Sequence, residues 1–132
     1  MIAANDAYCF VCGKENPIGL KLEFADENGK CVAKKALTKE YEGYEGVAHG
    51  GILGAMLDEV MVQHLRRRGE DAMTAKLETR YRQPTPVGEM LTIAGWEESR
   101  KGNFVKMKGS IALQDGTITV EASAQMAIVD NA

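Results

Sequence analysis

The helical period appears only once in this chain. Between His49 and Gly69, the apolar residues Leu53, Met56, Leu57, Val60 and Met61 recur at spacings of three and four and form one stripe. Arg66, Arg67 and Arg68 occupy the closing turn, and Gly69 follows them. Cations there oppose the negative end of the helix dipole, and glycine accepts the left-handed cap, so the helix is expected to stop at this point. A lone amphipathic helix has no second helix to pack on. Its stripe must be covered by sheet.

The rest of the chain supplies that sheet. Residues 18–25 alternate, with Leu20, Leu22 and Phe24 on one face, and read as a first strand. Glu27-Asn28-Gly29 is a hairpin signal, and a second strand runs from Lys30 through Cys31, Val32 and Ala33 to near Leu37. A loop over residues 42–46 contains Gly43, Tyr44 and Gly46. Past the helix, four strands are expected over residues 72–83, 89–99, 103–113 and 117–129, with turns at Lys101-Gly102-Asn103 and Asp115-Gly116. In the first of these, Met73, Ala75, Leu77, Thr79 and Tyr81 share a face, with Lys76, Glu78, Arg80 and Arg82 opposite. Two strands, one helix and four strands give an α+β architecture in a single domain over residues 1–132.

Composition narrows the function. The 132 residues carry a net charge of −3 and lack the basic field of a nucleic-acid binder. No segment approaches the ~18 apolar residues of a membrane span. The start, MIAANDAYCF, lacks the charged end and apolar run of a secretory leader, so a cytoplasmic location is expected. Three cysteines are too few for a disulfide framework, and in a reducing compartment they stay thiols. Cys9 and Cys12 form a CxxC, but a zinc site normally needs four ligands, and Cys31, His49 and His64 are scattered. The pair therefore reads as structural, and no metal is assigned. His64 falls on the apolar stripe and reads as a core or interface residue.

The informative stretch runs from His49 to Glu59. Glycine costs a helix roughly 1 kcal/mol relative to alanine, so Gly50, Gly51 and Gly54 need a reason. On a helical wheel Gly51, Gly54 and Asp58 lie near one edge, away from the centre of the stripe. Free N–H groups at the helix start can face an oxygen that gains negative charge. A carboxylate further along can act as base or nucleophile. Acyl transfer needs both. Glu59 is a rival carboxylate, but it points to the other side of the wheel.

His49-Gly50-Gly51 followed by Asp58 resembles the motif of hotdog-fold thioesterases related to 4-hydroxybenzoyl-CoA and phenylacetate-pathway thioesterases. Cys9-Phe10-Val11-Cys12-Gly13 with Asn16-Pro17-Ile18-Gly19-Leu20, and Tyr81-Arg82-Gln83-Pro84 with Gly88, resemble flanking segments of the same group. The resemblance implies one long central helix wrapped by a curved antiparallel sheet of five to six strands. It implies hydrolysis of an acyl-CoA, with no cofactor beyond the coenzyme A of the substrate. Asp58 then matches the acidic residue that activates water or attacks the thioester carbon. The Gly50 amide, with Gly51 beside it, polarises the carbonyl. His49 shapes the loop, and Thr74 matches a strand hydroxyl that assists the water. Gly43 departs from the pattern, because some relatives carry an amide side chain there; Tyr44 is a substitute. Arg80, Arg82, Arg100, Lys101 and Gly102 fall in segments that border the nucleotide in relatives, so they are candidates for binding its phosphates.

Two other readings stay open: a non-catalytic acyl-CoA-binding protein, or a hydratase or dehydratase on the same fold. The first gains nothing from Asp58, and the second needs a histidine-containing acid–base pair. Geometry adds a partner. Gly50 and Asp58 are eight residues apart, roughly 12 Å along a helix axis, too far to meet on one acyl carbon. The expected active unit is therefore a homodimer with sites shared between two chains, and pairs of dimers make a tetramer an option.

Overall fold

Residues 5–129 are described by the computed structural model. The first four residues, part of the segment read above as no leader, lie outside them. The helix, α1, spans Gly50–Arg66. The strands are β1 (Ala25–Glu27), β2 (Lys30–Ala36), β3 (Ala72–Tyr81), β4 (Met90–Lys101), β5 (Phe104–Ala112) and β6 (Ile118–Ile128). They form one antiparallel sheet in the order β1-β2-β4-β5-β6-β3. This is the expected α+β hotdog arrangement, with six strands around one central helix. Among the described residues no helix is long and apolar enough to cross a membrane.

The apolar stripe of α1 faces the sheet. Met56, Leu57, Val60, Met61 and Leu65 are fully buried against Leu91, Ile93, Val105, Met107, Ile111 and Met126. Gly95 and Gly109 lie opposite each other on β4 and β5. A Cβ on Gly95 would stand 3.0 Å from the Val60 backbone, and one on Gly109 would stand 3.2 Å from Leu57 Cδ2. The pair forms a trough that lets the helix approach the sheet backbone. His64 is buried in this layer, as expected of a core histidine.

The helix stops where its sequence says it should. Gly69 takes φ +87°, and the Glu70 N–H returns to the Leu65 carbonyl. The arginines of the last turn do not simply face water. Arg67 and Arg68 reach Asp26, and Arg66 reaches Asp6 and Asp71.

Two expectations about strands need correction. The segment over residues 18–24 is not a strand, and β1 is confined to Ala25–Glu27. Lys21 sits at φ +56°, which breaks an extended run. Leu20 and Leu22 are buried as the alternation required, but their N–H groups bond to the carbonyls of Phe10 and Val11. Apolar alternation here marks an irregular strap laid on the core. The second correction concerns β3. Its register against β6 shifts between Thr74 and Lys76, so Ala75 is a bulge that reverses the facing of everything before it. Thr74 pairs with buried Met126, and Leu77, Thr79 and Tyr81 pair with Ala124, Ala122 and Val120. Thr74, not Met73, therefore shares the helix-side face with Leu77, Thr79 and Tyr81.

Candidate active site

The site begins at the first turn of α1. His49 is the N-cap residue, at φ −64° and ψ 130°, and its Nδ1 accepts the Gly51 N–H at 2.9 Å. The His49 N–H in turn donates to the Tyr41 carbonyl, and the Ala48 N–H to that of Thr85, which fixes the entry loop. The Gly50 N–H donates to no group among the described residues. Of the two amides named from the sequence, Gly50 therefore offers the open donor. The Gly51 amide, beside it, is committed to the His49 ring. Helix polarity adds positive potential at this spot.

Tyr81 completes the turn. Its Oη donates to the Gly50 carbonyl at 2.7 Å, and a Cβ on Gly50 would meet its ring at 3.5 Å. This contact joins the end of β3 to the start of α1, and no local pattern in the sequence marks it. Tyr44 is 88% exposed, so within this chain it is not held over the site.

Asp58 lies two turns further along α1, half-buried, facing β3. Thr74 Oγ1 donates to Asp58 Oδ1 at 2.5 Å. Burial raises the Asp58 carboxyl above its ordinary value; the Thr74 bond opposes this, and neighbouring Glu59 adds to the rise. A half-buried carboxylate with an elevated pKa and one fixed donor is equipped to accept a proton. Glu59, one residue on, points the other way. Its oxygens accept from Cys9 Sγ at 3.4 Å, Cys12 Sγ at 3.5 Å and Gln63 Nε2 at 2.9 Å.

The cationic candidates do not form one cluster. Arg80 pairs in register with Glu121 on the outer face of the sheet, and Arg82 is ion-paired to Glu121. Arg100, Lys101 and Gly102 lie at the opposite end, where β4 turns into β5. Arg100 is already held by Glu70 at 2.6 Å and Glu97 at 2.9 Å. Lys101, Gly102, Phe104 and Lys106 line a surface groove of about 680 Å³ with it.

Comparison with known proteins places the chain in a family. Residues 45–120, more than half of the chain, match the family model described as the thioesterase superfamily. The chain belongs to the thioesterase superfamily. No curated protein matches it. Among solved structures it is similar to RHA08564, a thioesterase superfamily protein, at 32% identity and TM-score 0.84. That match covers 89% of this chain and 61% of the other, so the chain spans less than two thirds of that relative. A hypothetical thioesterase from Streptococcus pneumoniae, solved with coenzyme A, aligns at 23% identity and TM-score 0.76, covering 82% and 85% of the two chains. Mutants of that protein with one aspartate or one threonine replaced by alanine have also been solved. The Escherichia coli PaaI protein, from the phenylacetic acid degradation operon, aligns at 15% identity and TM-score 0.77, covering 84% and 81%. The last two likenesses speak to the fold.

Proposed function

We propose that this protein is an acyl-CoA thioesterase that hydrolyses its substrate to a free acid and coenzyme A. The observation that carries the reading is the Asp58–Thr74 pair, a half-buried carboxylate of raised pKa oriented by a strand hydroxyl. An aspartate and a threonine are also the residue types replaced in the streptococcal relative, which was solved with coenzyme A. In this reading the thioester carbonyl oxygen accepts the Gly50 N–H. Asp58 takes a proton from water as the water attacks the acyl carbon, or attacks that carbon itself to form an acyl anhydride, which water then cleaves to release the acid and restore Asp58. The carbon–sulfur bond breaks, and the coenzyme A sulfur leaves as thiolate and is protonated. His49 and Tyr81 hold the turn that presents the amide.

The two ends of this chemistry lie on different chains of a dimer. Gly50 and Asp58 remain roughly 12 Å apart on one helix, whereas a reacting carbon must sit within about 3–3.5 Å of its attacker. β3 is a ten-residue edge strand with Met73, Leu77 and Tyr81 exposed. A long, partly apolar open edge seeks a partner, and β3 of a second chain extends the sheet while setting the two helices side by side. A tetramer built from two such dimers, and a cytoplasmic setting, fit the same reading.

A thiol-release assay over a panel of acyl-CoAs tests the proposal. Wild-type protein should liberate free thiol from at least one, and Asp58→Asn should not. Tight acyl-CoA binding without any thiol release would instead identify a binding protein.

A further inference from the structure

Beneath α1, away from Asp58, the irregular strap brings a second group of reactive side chains together. Cys9, Cys12 and Glu59 present one donor atom each, all within 4.8 Å of one another. Cys9 Sγ lies 3.4 Å from Glu59 Oε1, and Cys12 Sγ lies 3.5 Å from Glu59 Oε2. Zinc bonds of ~2.3 Å to sulfur and ~2.0–2.2 Å to oxygen put tetrahedral neighbours roughly 3.5 Å apart. Asp6 Oδ2 stands 3.8 Å from Cys12 Sγ and supplies a further oxygen at the edge of the cluster.

The surroundings hold the cluster in place. The Val11 and Cys12 N–H groups both point at Cys9 Sγ, at 3.4 Å each. Amide donors aimed at a ligating sulfur fix its orientation and tune a bound metal. The turn closes through the Gly13 N–H on the Cys9 carbonyl at 2.8 Å. A Cβ on Gly13 would fall 2.2 Å from Cys9 N, so this turn requires glycine. Buried Gln63 donates to Glu59 Oε2 at 2.9 Å, which orients the carboxylate toward the sulfurs. Glu59, the acidic member of the group, lies about fifty positions from the cysteines in sequence and joins them only through the fold.

We propose that Cys9, Cys12 and Glu59 form a binding site for a thiophilic divalent cation of the zinc class, leaving one position of the ion's shell for water or a further oxygen. Binding releases the two thiol protons and leaves two thiolates and the Glu59 carboxylate around the ion. The site ties the strap, which has almost no regular secondary structure, to the central helix one residue from Asp58. Its role is structural, and it does not depend on the thioesterase reading.

The test uses untagged full-length protein, kept reduced, stripped with a chelator and titrated with Co²⁺. Binding should produce thiolate-to-cobalt charge-transfer absorption and the visible bands of tetrahedral cobalt, saturating at about one ion per chain. Zn²⁺ should displace the cobalt, raise the melting temperature and protect two thiols from a thiol reagent. Cys12→Ser should abolish the charge-transfer band, and Glu59→Gln should weaken binding at least about tenfold. No charge-transfer band in reduced wild type at saturating cobalt, or a Cys9–Cys12 disulfide that re-forms in its place, would overturn the proposal. So would an undiminished band in a folded Cys9→Ser, Cys12→Ser double variant. The wild-type spectrum decides the matter even if the variants fail to fold.

Discussion

Thr74 Oγ1 reaches across from β3 to donate a 2.5 Å hydrogen bond to Asp58 Oδ1 on α1. The bulge at Ala75 makes this contact possible, because without it Thr74 would face away from the helix. Loss of a catalytic base or nucleophile costs about 10²–10⁴ in rate, so Asp58→Asn should lower turnover by at least about 100-fold with the fold intact. Thr74→Ala removes one hydrogen bond to a charged group and should cost about 10- to 100-fold. Steady-state thiol release measures both, with circular dichroism as the control for folding. Wild-type turnover in Asp58→Asn would remove this residue from the mechanism.

The raised Asp58 pKa carries two pH effects. If the carboxylate is the working form, kcat/KM should fall on the acid side at a pH above the ordinary carboxylate range. Thr74→Ala deletes a bond that favours the charged form, so it should move that limb to still higher pH. Stability should run the other way. A carboxyl whose pKa is higher folded than unfolded costs stability once it is ionised in both states. Asp58→Asn should therefore melt above wild type at neutral pH. That advantage should shrink as pH falls through the raised folded pKa and vanish below the unfolded value of about 3.9. A melting difference that does not change with pH would show that the effect is not electrostatic.

Arg100 and Lys101 should separate, although the sequence places them side by side. Arg100 is held by Glu70 and Glu97, partly exposed, and such surface pairs contribute about 0–1 kcal/mol. Arg100→Ala should lower the melting temperature slightly and change the Michaelis constant little. Lys101 is exposed beside a groove that Lys106 also lines. If that groove receives nucleotide phosphates, Lys101→Ala should raise the Michaelis constant for acyl-CoA at low salt with turnover unchanged, because binding far from the reacting carbon is uniform. A short pantetheine thioester should not notice the change. An unaltered Michaelis constant for acyl-CoA would put the phosphates elsewhere.

Much of the fold was legible because period and punctuation agreed. The α1 stripe ended at Gly69 as read, and the Asn28-Gly29 turn takes the positive φ angles its residues invite. What failed was what periodicity cannot encode. A bulge is a single unpaired residue, and Ala75 looks like any other position in an alternating run. The alternation of Leu20 and Leu22 reports burial without saying where the backbone hydrogen bonds go. In the candidate site, Asp58 and the Gly50 amide were named through the family resemblance of the His49–Asp58 stretch, and helix chemistry supplied a reason for them. Tyr81 on the Gly50 carbonyl, and Glu59 between two cysteines about fifty positions away, depend on tertiary packing alone.

Gly50 allows a sharp test of the shared site. Proline at the first helical position lacks an N–H that the helix does not use, and its ring suits that position. The residue before a proline must be extended, and His49 at φ −64° and ψ 130° already is. A new Cβ would meet the Tyr81 ring at 3.5 Å, ordinary contact distance. Gly50→Pro should therefore fold while deleting the one open amide, and activity should fall by about 10²–10³, the cost of losing an oxyanion donor. Asp58→Asn disables the other end. Neither homodimer should turn over well. If each site takes its amide from one chain and its carboxylate from the other, a mixed dimer holds one site with both defects and one with neither. Mixing the two variants under exchange should then recover activity, up to about half the wild-type rate per mixed dimer. Native mass spectrometry would confirm the heterodimer. No recovery once heterodimers are present, or full activity in a monomer, would sink the shared-site arrangement.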